Sequence, residues 1–145
     1  MSKIIKNEKI YANIELRNGS DAALYQRNLL SESQIHRIEV SMCINSNVTM
    51  LMINENICKA LNLSIIDHRF VQFFDKKLLK LPVTSPIEIH FTDRFCTSNA
   101  IVLPEDETPL LGKTQLLEMD LWVNPKLRIL MPLHSEQIIK LPSVR

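Results

Sequence analysis

The sequence predicts a mainly β fold with one or two short helices, and three observations carry that prediction. Apolar and polar residues alternate with a period of two over many short stretches, as in half-buried strands. Polar turn clusters separate those stretches. Helical spacing of apolar residues is clear in only two places. With 145 residues and 46% apolar content, the chain is long enough to bury a core and is expected to form one domain over 1–145. On these patterns alone a barrel and a sandwich both fit.

Taken in order, residues 10–16 alternate Ile10, Ala12, Ile14 and Leu16 against polar partners and predict a strand. Asn18-Gly19-Ser20-Asp21 ends it with turn chemistry, and residues 22–30 fit a short helix or a long loop equally. Ile38, Val40, Met42 and Ile44 give the clearest strand, which runs into Asn45. Residues 49–53 are continuously apolar after Thr49 and predict a strand buried on both faces. Asn54 is placed to cap a helix over 55–61 with Ile57, Ala60 and Leu61 on one face. Residues 70–74 and 78–81 flank Asp75-Lys76-Lys77 as a hairpin. Strands follow over 87–91 and 95–103, then a polar loop at 104–108, a helix around 113–120 and a last hairpin of 122–123 with 128–131. Residues 133–145 are weakly patterned and read as a tail.

Composition excludes several function classes. A net charge of +1, with lysines and arginines scattered, argues against binding nucleic acid or an anionic membrane through bulk charge. The small cluster Lys76, Lys77 and Lys80 reads as solvated surface. No apolar run approaches membrane-spanning length, and the N-terminus lacks the apolar core of a signal peptide. Cys43, Cys58 and Cys96 are an odd number without a close pair, which predicts buried thiols in a reducing cytoplasm. His36, His68, His90 and His134 show no metal-ligand spacing, so no metal and no cofactor are expected. Asp67, Asp75, Asp93, Asp106 and Asp120 fall at element ends or turns and read as solvated carboxylates. The chain has only two glycines, Gly19 and Gly112, each expected to answer a backbone requirement.

The candidate site is the triplet Asn45-Ser46-Asn47, at the fold-back between two apolar runs. It holds no carboxylate, thiol or imidazole, and read alone it is an ordinary turn. Its surroundings give it an identity. Residues 42–55 resemble the strand–Asp-Thr-Gly–strand unit of the retropepsin-like aspartic proteases, the single-lobe clan that includes retroviral proteases and their bacterial relatives. Ala60-Leu61-Asn62-Leu63 is similar to that family's Ala-Leu-Gly-Leu, and residues 70–82 resemble its flap hairpin, with Asp75-Lys76 where relatives often have Asp-Gly. Residues 86–103 resemble the paired strands that follow. Ile101-Val102-Leu103-Pro104, Pro109-Leu110-Leu111-Gly112 and residues 116–123 resemble the apolar-apolar-Gly segment and its helix. The resemblance covers about residues 10–132.

The resemblance implies a closed β-barrel acting as a two-fold homodimer, with the triplet at the axis. It implies Phe74, Asp75 and Lys76 at the substrate-covering flap tip, and Leu111 and Gly112 as structural supports of the site. Two close carboxylates sharing a proton would act there, one as base toward a water and one as acid. Here Asn45 stands in that position, and a carboxamide has no proton affinity near neutral pH. Ser46 keeps the hydroxyl of the family's Thr, and Asn47 replaces Gly with a residue that tolerates left-handed backbone.

Two readings from different classes follow. One is a non-catalytic dimeric protein whose cleft binds an extended peptide by strand addition, or which serves only as a dimerisation scaffold. The other is an aspartic endopeptidase carrying Asn45 in place of its catalytic Asp. An unrelated β-barrel binding module is a third, weaker fit.

Overall fold

The computed structural model describes residues 9–73, 75–135 and 141–142. The chain is mainly β. Nine strands form one curled, half-barrel sheet: β1 (Ile10–Asn18), β2 (Arg37–Ile44), β3 (Leu51–Asn54), β4 (Ile65–Gln72), β5 (Leu78–Thr84), β6 (Ile87–Phe91), β7 (Arg94–Ser98), β8 (Ala100–Leu103) and β9 (Leu110–Leu111). Their order is β4-β5-β8-β3-β9-β2-β1-β6-β7, and β10 (Leu121–Asn124) pairs separately with β11 (Ile129–Pro132). Three short helices accompany them: α1 (Gly19–Gln26), α2 (Glu55–Ala60) and α3 (Lys113–Glu118). No helix among the described residues is long and apolar enough to cross a membrane.

The period-two patterns become strands as expected, with differences that have local causes. Of the helix and the loop that residues 22–30 fitted equally, the helix forms as far as Gln26 and reaches back into the expected turn: the Asn18 side chain accepts from the Asp21 N–H at 3.0 Å and caps α1. Asn54 caps α2 in the same way, accepting from the Ile57 N–H at 2.9 Å. Ala60 is exposed, and Cys58 packs against the core in its place. The stretch 95–103 is two strands. At Asn99 the chain leaves the β7 end of the sheet for β8, between β5 and β3, held by Asn99 Nδ2 donating to the Thr84 carbonyl at 2.8 Å and Ala100 N to Thr84 Oγ1 at 3.1 Å.

Two apolar clusters fill the interior. The larger includes Ile14, Leu16, Met42, Leu51, Ile53, Ile87, Ile89, Leu111 and Met119, all fully buried. Each such side chain contributes roughly 1.5–3 kcal/mol. The smaller gathers Leu81, Val83, Ile101 and Leu103, with Met52, Val71, Phe73 and Leu79 packed against it. It ties the β4–β5 hairpin to the body of the sheet.

Neither glycine has a positive φ. Space is what they supply: a Cβ on Gly19 would lie 2.7 Å from the Pro86 carbonyl oxygen, which the Gly19 N–H bonds at 2.8 Å.

One of the five aspartates read as solvated departs from expectation. Asp120 is buried, at φ 58 just past the end of α3, and its carboxylate meets Arg94 at 3.3 Å and His134 at 2.9 Å. Arg94, only 5% exposed, also donates to the carbonyls of Met119, Asp120 and His134. The network joins α3 and β7 to the segment after β11. Cys43 and Cys96 are buried as predicted, whereas Cys58 is only half-buried. Burial, reinforced by the Glu118 carboxylate, pushes the Cys96 thiol up to about 12.

Candidate functional site

The loop 45–50 is positioned by a strand that arrives from far along the chain. β9 lies between β2 and β3, parallel to β2 (Cys43 opposite Leu110, Ile44 opposite Leu111) and antiparallel to β3 (Met52 opposite Leu110). The chain therefore leaves the sheet at Ile44, turns through the triplet and returns two strand positions away, on the far side of β9. Main-chain bonds fasten the loop to β9 and α3: Asn45 N to the Leu111 carbonyl at 3.0 Å, and Lys113 N to the Val48 carbonyl at 2.7 Å. Val48 N closes the turn onto the Asn45 carbonyl at 3.1 Å.

Gly112 makes this approach possible. A Cβ there would press into the Val48 carbonyl oxygen and lie 3.1 Å from the Thr49 carbonyl carbon. The Gly112 N–H instead reaches the side chain of buried Gln115 at 3.0 Å. Leu111 is fully buried beneath the loop. Leu111 thus bonds the triplet at Asn45, and Gly112 meets the loop just after it, at Val48 and Thr49.

Within the triplet, Asn45 is half-buried and Ser46 and Asn47 are exposed. Asn45 Oδ1 accepts from the Asn47 N–H at 3.0 Å, an Asx turn that a carboxylate could make equally well. The Ser46 hydroxyl has no partner among the described residues. Asn47 does not adopt left-handed backbone. That geometry occurs elsewhere, among other positions at Asn62 (φ 52), which ends α2, and at Lys76 (φ 66). These are the positions where the resemblance places Gly in Ala-Leu-Gly-Leu and in Asp-Gly.

The β4–β5 hairpin faces the loop across a cleft of about 760 Å³. Phe73 and Lys77 form the last bonded pair, Lys76 N donates to the Phe73 carbonyl at 2.8 Å, and Asp75 Oδ1 accepts from Lys77 N at 2.9 Å. Phe74 lies outside the described residues. Of the predicted site residues, Asn45, Asn47 and Asp75 line the cleft together; Ser46 and Lys76 adjoin it without lining it. The floor is apolar, from Met52, Val71, Phe73, Leu79, Leu103 and Leu110, most of them belonging to the smaller core cluster. The charges at its rim balance: Lys9 and Lys77 against Asp75 and Glu107.

Sequence reasoning missed Lys9, Leu103 and Glu107 as cleft residues, because they come from segments far apart in the chain that only the sheet order brings together. No group of three metal-ligating side chains occurs among the described residues. A smaller depression at Glu15, Arg37, Ile38 and Glu39 lies on the outer part of β1 and β2, where Glu15 pairs with Arg17 and Arg37.

A neutral, apolar-floored groove between a fixed loop and a hairpin suits an extended, uncharged chain segment. It lacks the means for acid–base hydrolysis at Asn45. No protein-family model matches this chain, and no curated protein matches it significantly.

Proposed function

We propose that this chain is a retropepsin-like protein that has lost its catalytic carboxylate and binds an extended peptide in its cleft. It does so as a two-fold homodimer with the 45–47 loop at the axis, its sheet closed into a barrel, in the reducing cytoplasm where three unpaired cysteines persist. The observation that carries this reading is the pairing of Asn45, on a loop held by an inserted strand and a glycine, with a hairpin tip across one cleft. Affinity would come from main-chain hydrogen bonds and from apolar pockets at Met52, Val71 and Leu110, none of which needs the dyad.

A second reading, an aspartic endopeptidase carrying Asn45 in place of Asp, is favoured by one feature: the Asn45 side-chain oxygen makes the bond a carboxylate would make.

The deciding experiment is an assay on a mixed peptide library at mildly acidic and neutral pH, beside the Asn45→Asp, Asn47→Gly variant. Expected are retention without cleavage by the parent and cleavage by the variant. Cleavage by the parent would overturn the non-catalytic reading. Inactivity of a folded variant would count against an aspartic protease site altogether.

A further inference from the structure

Among the described residues, β4 is one end of the nine-strand order and pairs only with β5. The bonded pair at its tip sets the alternation along the ladder. Phe73 N donates to the Lys77 carbonyl at 2.9 Å, so Val71, Arg69 and Asp67 bond toward β5. His68, Phe70 and Gln72 then turn their N–H and C=O groups outward along the free edge. Two local facts agree. His68 sits opposite Pro82, which has no N–H, and the His68 N–H is taken by the Asp67 carboxylate at 2.8 Å.

Every residue of Ile65–Phe70 is exposed, with Ile66 at 59% and Phe70 at 69%. An open edge with large apolar side chains is a template for another strand. The sequence along it, Ile66-Asp67-His68-Arg69-Phe70, is self-complementary about its centre. A two-fold axis at His68 sets Asp67 against the partner's Arg69 and Arg69 against the partner's Asp67 on one face. On the other face Ile66 meets the partner's Phe70, and Phe70 the partner's Ile66. The outward-facing His68 is the kind of position an antiparallel pair can centre on, because two copies exchange both main-chain bonds there.

We propose that this edge pairs antiparallel with the same edge of a second copy of the chain, about a two-fold axis at His68. Pairing releases the His68 N–H from Asp67 to the partner's main chain, and frees Asp67 to meet the partner's Arg69. Within one chain Asp67 and Arg69 are only loosely joined, at 3.8 Å and both about 60% exposed. The register slip between Ile65 and Asp67 bends the strand and limits the contact to about five residues a side. That is well short of the roughly 800 Å² per partner of a stable interface, so the association is weak and concentration-dependent. Neither Asp67 nor Arg69 lines the cleft, so changes there read this contact alone.

The test is sedimentation velocity of the full chain over a concentration series. Asp67→Arg or Arg69→Asp turns two cross-strand attractions into two repulsions and should weaken self-association roughly tenfold or more. The double exchange Asp67→Arg, Arg69→Asp restores complementarity and should recover the parent's affinity to within about twofold. A parent that shows no concentration-dependent association beyond the dimer proposed at the 45–47 loop, single variants that behave like the parent, or a double variant no better than the singles would each overturn the proposal. Register is read by mild oxidation of His68→Cys beside Gln72→Cys. At the axis the two Cα atoms stand about 5.5 Å apart, within disulfide range. Cross-linked dimer from His68→Cys and little from Gln72→Cys is expected; equal yields would overturn it.

Discussion

Replacing Gly112 with alanine is the sharpest probe of how the candidate site is held. The backbone itself tolerates the change, since Gly112 has φ −101 and an extended conformation. What it lacks is room. The new Cβ would press into the Val48 carbonyl oxygen, a main-chain atom fixed at 2.7 Å from the Lys113 N–H. Relief requires the loop 45–50 to move outward by several tenths of an ångström or more. That movement stretches the Lys113–Val48 bond and loosens the neighbouring Asn45–Leu111 bond, both at the margin of the larger core cluster. One weakened main-chain bond and a partly overpacked contact together cost about 2–4 kcal/mol. With a urea slope near 2 kcal/mol per molar, the unfolding midpoint should fall by about 1–2 M. The melting temperature should fall by roughly 5–15 °C. Because the loop lines the cleft, the peptide retention proposed above would weaken along with stability. A midpoint unchanged within about 0.2 M would refute the idea that Gly112 is required by the approach of Val48.

Three further outcomes follow from the same geometry. Lys76→Gly should stabilise the fold by about 0.5–1 kcal/mol, because Lys76 holds a φ of 66 that glycine adopts without strain, read as a higher melting temperature. Asp120→Asn should destabilise the protein at neutral pH and become neutral in acid. Burial alone would raise the Asp120 carboxyl, but hydrogen bonds from His134 and Arg94 outweigh it and hold the group below its ordinary 3.8. Its contribution is therefore complete above that value and is lost as pH falls through the lower folded value, which urea titrations from neutral pH to about 2 would follow. The Asn45→Asp, Asn47→Gly variant should fold with only a small loss of stability. The carboxylate introduced at position 45 would keep the acceptor role of the Asx turn, while glycine at position 47, which has no left-handed backbone for it to relieve, adds entropy to the unfolded chain and costs about 0.4–1 kcal/mol, so a urea midpoint lower by no more than about 0.5 M is expected.

Local chemistry is readable where a side chain acts on its own neighbours. Asn54 and the turn residues around Asn124 behave as their types predict: Asn54 caps α2, and Asn124 Oδ1 accepts from Lys126 N and Leu127 N in the last hairpin. The same local logic misassigns Asn18, because Asn starts helices and turns alike and only the buried bonds from its Nδ2 to the Leu61 and Asn62 carbonyls select the helix start. Asp120 reads as solvated from its sequence position for a comparable reason. Its partners Arg94 and His134 lie 26 and 14 residues away, beyond any periodic pattern.

By itself the sequence determined the mainly β character, the positions of most strands, the cap of α2 and the absence of an ionisable group at 45–47, because period, capping and side-chain identity are local properties. It also singled out both glycines and the hairpin at 73–77. The tertiary structure alone decided the order of the strands, with β9 inserted between β2 and β3, and hence which distant residues share a cleft with Asn45. It showed that Asn47 is not left-handed while Asn62 and Lys76, among others, are, and that the glycines supply space and not rotation. Among the described residues it also left the edge of β4 open. All of these depend on how segments dozens of residues apart approach one another, which hydrogen bonding and packing settle only once the whole sheet has formed.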